Sequence, residues 1–298
     1  MKYQLKVAIV QTTIDHAIAW NSLSPNAPEM SDTEGMRAWN EIMVSLSNYK
    51  NMSLSTRPEV IVLPELTLAK EYERRLVDMA AQIGAIIIAG CDYKKITDCE
   101  VINRGVLIAP RYWPFGKGDS HNVKVYFGKK NPASNERQLI EGIPSTTSDS
   151  KHCAFHPCNE VFIVDLGEYG KVGLSICADF YDIERYAYYK GRIQHLFIIA
   201  YNQDVKSFYF LAEAISRLVF CNVVICNSGH YGGSIAFSLF NKDFKRYIYK
   251  HEGSKLFTSQ VIGLPVEELY KAQQGDPKAA KLFKSVPPGY EYKYSNGQ

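Results

Sequence analysis

The sequence predicts an α/β fold in a single domain. Short apolar runs alternate with amphipathic stretches along most of the 298 residues. Several runs are apolar nearly throughout, the texture of strands buried on both faces. No Pro/Gly/Ser-rich linker divides the chain, and no repeat of about 20–50 residues is visible. A content of 46% hydrophobic and 22% charged residues is ordinary for a globular chain long enough to bury a substantial core.

Strands are expected over residues 4–11, 59–64, 84–91, 101–109, 121–127, 160–166, 171–177, 195–200, 222–227, 234–239, 245–250 and 256–262. Helices fit 32–49, 69–82, 182–190, 206–220, 265–274 and 277–284. Ser31 with Glu34 three residues later has the capping-box pattern for the first helix, and Gly84 ends the second. Along 206–220, Phe210, Ala214 and Leu218 share a stripe, with Arg217 beside it. Residues 14–31 and 141–158 have the composition of inserted loops. The tail 286–298 is expected to be extended and to dock on a neighbouring subunit.

Composition excludes some classes of function. A net charge of +3, with Lys and Arg scattered, argues against nucleic acid as the main partner. No apolar stretch approaches the roughly 20 residues that cross a bilayer. The start, Val7-Ala8-Ile9-Val10-Gln11 behind Lys6, reads as a first strand rather than a signal peptide. Seven cysteines, an odd number, several in apolar patterns, fit reduced thiols and a cytoplasmic protein.

Three strand ends carry the chemistry. Cys177 follows Val172, Leu174 and Ile176, where a rigid strand end can present a thiol to a pocket; the alternative is a core thiol. Glu65 ends the run Val60-Ile61-Val62-Leu63-Pro64 and is either solvated or a desolvated proton acceptor. Lys129 and Lys130 follow a strand as either a solvated turn or an oxyanion-stabilising ammonium, and Glu136 lies beyond them. Tyr201-Asn202 ends another strand and is either structural or pocket-lining.

Other patterns are weaker. His152-Cys153-Ala154-Phe155-His156-Pro157-Cys158 holds zinc-type side chains, but they are too crowded to reach one tetrahedron easily, so no metal is expected. Gly229-His230-Tyr231-Gly232-Gly233 lacks a Walker-type ending and leads into a strand. His195 reads as a strand-start histidine, and nothing favours it over His121 or His230 as a catalytic base.

Together these segments resemble the nitrilase, or carbon–nitrogen hydrolase, superfamily over about Lys6–Leu269. The opening strand ends in Gln11, Leu63-Pro64-Glu65 matches the family's glutamate, and Asn103 lies in its asparagine-bearing strand. Gly170–Asp179 is similar to the nucleophile segment, with Glu184 beyond it. Ser216-Arg217, Asn222–Gly229 and Gly232-Gly233-Ser234 resemble the arginine-bearing helix, next strand and glycine-rich turn. The family's lysine precedes a glutamate by seven residues, as Lys129 precedes Glu136, but its histidine-leucine pair is replaced by Asn131-Pro132, so Lys130 remains an alternative.

The resemblance implies a four-layer α-β-β-α sandwich, with a hydrolase domain over 1–270 and a C-terminal extension over 271–298. It implies a catalytic set of Glu65, Lys129, Cys177 and Glu136, with Ala178, Tyr201 and Asn202 at the substrate, and no cofactor. The implied activity is cleavage of a small-molecule amide through a thioester, or of a nitrile, by a homodimer or higher assembly. An idle scaffold or sensor domain is the alternative, and acyl transfer would use the same residues.

Overall fold

A computed structural model describes residues 1–20, 28–97, 100–116, 122–142 and 153–293. Its strands form where apolar side chains alternate between two covered faces. In β1 (Gln4–Gln11), Leu5, Val7 and Ile9 enter a layer between two sheets, while Ala8 and Val10 meet helices. Both phases of the two-residue period must then be apolar.

The remaining strands are β2 (Val60–Val62), β3 (Ile86–Gly90), β4 (Lys94–Thr97), β5 (Glu100–Ile102), β6 (Arg104–Pro110), β7 (Asn122–Gly128), β8 (Ala154–Phe155), β9 (Ile163–Asp165), β10 (Lys171–Ile176), β11 (His195–Ala200), β12 (Asn222–Asn227), β13 (Ser234–Phe237), β14 (Tyr247–His251) and β15 (Thr258–Pro265). The helices are α1 (His16–Ala19), α2 (Asp32–Asn51), α3 (Glu73–Ile83), α4 (Ser134–Glu141), α5 (Ile183–Tyr189), α6 (Val205–Ile215), α7 (Asp243–Arg246), α8 (Glu267–Gln273) and α9 (Pro277–Ala280).

Two six-stranded sheets stack in the orders β15-β1-β2-β3-β6-β7 and β14-β13-β12-β11-β10-β9. Each has three parallel strands, β1-β2-β3 and β10-β11-β12, flanked by antiparallel ones. Val62, Ile88 and Leu107 of one sheet and Leu174, Ile176 and Phe197 of the other fill the space between them. Helices α2 and α3 cover the first sheet through Ile42, Leu46, Leu76 and Ile83, and α5 and α6 cover the second through Tyr189, Phe208 and Ala212. This is the four-layer α-β-β-α sandwich. The parallel strands end at one edge, where both sheets contribute to the candidate site.

Several local expectations change. The run over 101–109 breaks at Asn103, which faces the site instead of continuing the ladder. The helix over 69–82 begins with a 3-10 turn, Lys70–Tyr72, and that over 206–220 finishes as a π-helical turn, Ser216–Phe220. The helix over 277–284 stops at Ala280. Ser31 is the N-cap of α2, but no capping box forms; Glu34 turns away to accept the Asp15 N–H at 2.8 Å. Gly84 closes α3 in the left-handed conformation, at φ +74°.

The stripe of Phe210 and Leu218 faces outward, because Phe208, Tyr209, Ala212 and Ile215 occupy the sheet side of α6. The loops expected over 14–31 and 141–158 contain α1 and β8; their residues 21–27 and 143–152 lie outside the described ones. The tail packs on its own chain: Tyr290 meets Phe220, and the Lys293 N–H donates to the Gly191 carbonyl at 2.8 Å. Residues 294–298 lie outside the described ones.

Candidate active site

Cys177 ends the ladder of β10 and opens a 3-10 turn that runs to Tyr181. Its φ is +42°, a left-handed conformation costing a non-glycine residue about 1–3 kcal/mol. The turn takes the side chain out of the strand's alternation. Its thiol lies against the Glu65 carboxylate and the Tyr201 backbone N–H.

Glu65 sits three residues past the end of β2, in a turn where Leu66 has φ +53°. Gly90 makes that turn fit. A Cβ there would lie 2.3 Å from the Glu65 Cα and 2.5 Å from the Pro64 oxygen, both backbone atoms that cannot swing aside. Glu65 is 2% exposed and Lys129 1% exposed, so their charges survive only through mutual pairing.

Lys129 follows β7, and its backbone N–H donates to the Asn103 carbonyl at 2.9 Å. Its Nζ donates to Glu65 Oε1 at 2.8 Å and to Glu136 Oε2 at 2.5 Å. Among the described residues its third N–H has no acceptor. Asn103 Nδ2 spans the same carboxylates, at 2.8 Å from Glu65 Oε1 and 2.6 Å from Glu136 Oε1. The Tyr201 N–H reaches Glu65 Oε2 at 2.8 Å. Lys130 turns outward to Asp182 Oδ2 at 3.2 Å and Glu184 Oε2 at 3.5 Å. Lys129 is therefore the lysine of the buried cluster.

A second buried carboxylate ties the lysine segment to the nucleophile turn. Asp179 accepts the backbone N–H groups of Lys130 at 2.9 Å and Asn131 at 2.8 Å, and pairs with Arg185 at 3.2 Å. Three strand ends are thus fixed relative to one another by ionic hydrogen bonds.

The electrostatics follow from burial. Desolvation raises the Glu65 pKa, and Lys129 opposes the rise. Desolvation pulls Lys129 down, but Glu65, Glu136 and Cys177 overcome it and hold the ammonium well above its ordinary value. Burial pushes the Cys177 thiol far up, and the Glu65 carboxylate adds to this more than Lys129 relieves it. At rest the sulfur is a neutral thiol beside an ammonium and two carboxyl groups.

The structure brings Glu65, Lys129, Glu136 and Cys177 together. Ala178 is half-buried beside the sulfur in the same turn. Tyr201 contributes its backbone N–H, while its hydroxyl donates to the Ile14 carbonyl at 2.8 Å. Asn202 follows it, and its side-chain amide donates to the Asp204 carbonyl at 2.8 Å and shapes the turn into α6. His195 lies buried far along β11, at its opposite end. His230 stacks near Tyr201 with a centroid distance of 6.3 Å. His121 and His152 lie outside the described residues; Cys153 is buried in an apolar cluster, and His156 pairs with Glu100 at 3.5 Å.

Residue-level reasoning missed three things. Asn103 bridges both carboxylates; an asparagine inside an apolar run was the available signal. Asp179 carries no local sign that it ties the nucleophile turn to the lysine segment. A ring cluster of His16, Trp20, Tyr93, Tyr201 and Tyr231 lies beside the carboxylates, with Tyr93 buried within electrostatic reach of Glu136, Glu65 and Cys177. No local pattern connects these rings.

The stacked sheets and the acid-ammonium-thiol cluster at their shared edge agree with solved structures. The chain has the CN-hydrolase fold. A CN-hydrolase superfamily protein from Xanthomonas campestris, with an arsenic adduct in its active site, superimposes with a TM-score of 0.61 at 13% identity, covering 96% of this chain and 100% of that one. An amidase from Nesterenkonia sp. gives 0.62 at 11% identity, covering 91% and 94%. A variant of the Nesterenkonia sp. AN1 amidase carries the acetamide moiety of fluoroacetamide on its active-site cysteine; it gives 0.62 at 12% identity, covering 88% and 90%. No family model and no curated protein matches the sequence. The CN-hydrolase fold here is therefore recognised through geometry, with identity too low to carry an activity across.

Proposed function

We propose that the protein is a thiol amidohydrolase that cleaves a small carboxamide through a thioester on Cys177. The observation that carries this reading is the buried arrangement of Glu65, Lys129 and Cys177, with the Lys129 ammonium fixed by two carboxylates and one N–H still unmatched. In the proposed reaction Glu65 takes the thiol proton as the sulfur attacks the amide carbon. The oxyanion that forms meets Lys129 and the Ala178 N–H. Glu65 returns the proton to the departing amine, leaving the acyl group on sulfur. Water then attacks the thioester with Glu65 as base, releasing the acid and restoring the thiol. Glu136 and Asn103 position Lys129 and Glu65.

The raised thiol pKa supports a base-assisted attack over a preformed thiolate. The structural neighbours, an amidase and an amidase variant with an adduct on its active-site cysteine, agree with this chemistry. A homodimer forms part of the proposal. Ile183 (80% exposed), Phe210 (75%) and Leu218 (57%) leave the α5–α6 layer with an apolar outer face that a second copy would cover. Six free thiols among the described cysteines suit a reducing compartment, the cytoplasm. No helix among the described residues is long and apolar enough to cross a membrane.

The test is intact mass after incubation with a panel of amides and nitriles. An acyl mass that appears on Cys177 and decays with release of the acid is the expected result. Absence of any adduct across the panel, with the protein folded, would leave the idle scaffold as the better account.

A further inference from the structure

A cavity of about 330 Å³ lies next to the candidate active site and shares Tyr93 with its surroundings. Its volume falls at the lower end of small-molecule pockets. Four cations line it: Lys70, Lys94, Lys95 and Arg104. Among the described residues none of the three lysines forms an ion pair. The Arg104 guanidinium lies 3.9 Å from the Tyr126 ring centroid, and its buried Nε has no acceptor.

Two of the three carboxylates that line the cavity have partners outside it. Glu73 accepts from Lys124 at 2.9 Å and from the Tyr126 hydroxyl. Asp92 accepts from Trp20 Nε1 at 2.9 Å, from the Met30 N–H at 2.7 Å and from the Tyr93 N–H at 2.8 Å. Glu73 also lies in the field of Arg104, and Glu29 is exposed at the lip; counting Lys124, five cations face three carboxylates, a surplus of two. Like charges gathered around one concave space repel one another unless an anion joins them. The other walls are apolar, formed by Pro28, Leu68 and the Tyr93 ring.

We infer that this cavity binds a phosphate monoester. The phosphate dianion would sit among the four cations, and a small organic body would lie against Pro28, Leu68 and Tyr93. A dianion matches the surplus of cations better than a single carboxylate does. The proposal goes beyond the amidohydrolase reading and does not rest on it.

Titration calorimetry of the full chain at low ionic strength tests it, with phenyl phosphate, inorganic phosphate and succinate as probes. Phenyl phosphate is expected to saturate one site, more tightly than inorganic phosphate and more tightly than succinate. Lys70→Glu/Lys94→Glu, both exposed side chains, should weaken it by about tenfold or more. Lys206→Glu/Lys278→Glu, with the same change of net charge elsewhere on the surface, should leave it unchanged. Lys70→Gln should show a smaller loss in the same direction. No saturable binding of phenyl phosphate, tighter binding of succinate, parity with inorganic phosphate, or equal weakening in the control pair would overturn the assignment.

Discussion

The two ends of the parallel strands both bury charge, and they use it differently. At the N-terminal ends the groups are matched. Glu59, ahead of β2, accepts the Lys6 N–H at 2.6 Å and pairs with the Lys6 ammonium at 3.0 Å. His195, at the start of β11, donates from Nε2 to the Tyr169 carbonyl at 3.0 Å and accepts from Asn222 Nδ2 at 3.1 Å. At the C-terminal ends one ammonium serves two carboxylates, a thiol lies beside them, and both Cys177 and Leu66 hold left-handed backbone. Buried charge alone therefore does not mark the functional end. Left-handed backbone does not mark it either, since Phe220, just ahead of β12, has φ +61°; the shared, incompletely matched ammonium does, because a site must keep a group in reserve for a reacting molecule.

That contrast is broken most decisively at the sulfur. Cys177→Ala should lower turnover by roughly 10⁴-fold or more while the thermal midpoint stays near that of the parent. A folded variant that retains activity would end the thioester scheme. Glu65→Gln comes next, with kcat/KM down by about 10²–10⁴-fold. The base must be ionised, and burial raises its pKa. In the parent, the acid limb of the kcat/KM profile should therefore lie above the ordinary carboxylate range. A limb at or below that range would contradict the desolvated base.

The opposite end should respond in stability only. Burial lowers the His195 pKa from 6.5 to about 4, so the folded state binds fewer protons than the unfolded chain between those values. Stability should fall as pH drops through that window, by up to about 3 kcal/mol at its acid end. His195→Gln should flatten that slope in chemical denaturation, and an unchanged slope would refute it. Glu59→Gln should cost about 2 kcal/mol, less than a fully buried pair because Lys6 retains a path to water, with kcat within about twofold of the parent. A large loss of kcat there would erase the distinction between the two ends.

Much of the scaffold was legible because it rests on a local signal. The two-phase apolar pattern of β1, and the runs at β3, β11 and β12, need no knowledge of the partner sheet to be read as buried strands. Helix α4 was not legible: it is only eight residues long, and only Ile140 among its apolar residues is buried with Glu136. The outward stripe of α6 was ambiguous for the opposite reason, since both faces of that helix are apolar and only packing selects the inner one.

The sequence by itself determined the type and order of the strands and the placement of Glu65 and Cys177 at the ends of buried runs, since a period of two and its termination are local properties. Tertiary structure alone decided that Lys129 turns inward while Lys130 turns outward, that Asn103 joins Glu65 to Glu136, and that Asn202 serves a turn. Neighbouring residues at a strand end look to opposite sides, and which side holds the buried carboxylates depends on segments 64 residues away in the chain, as for Lys129 and Glu65.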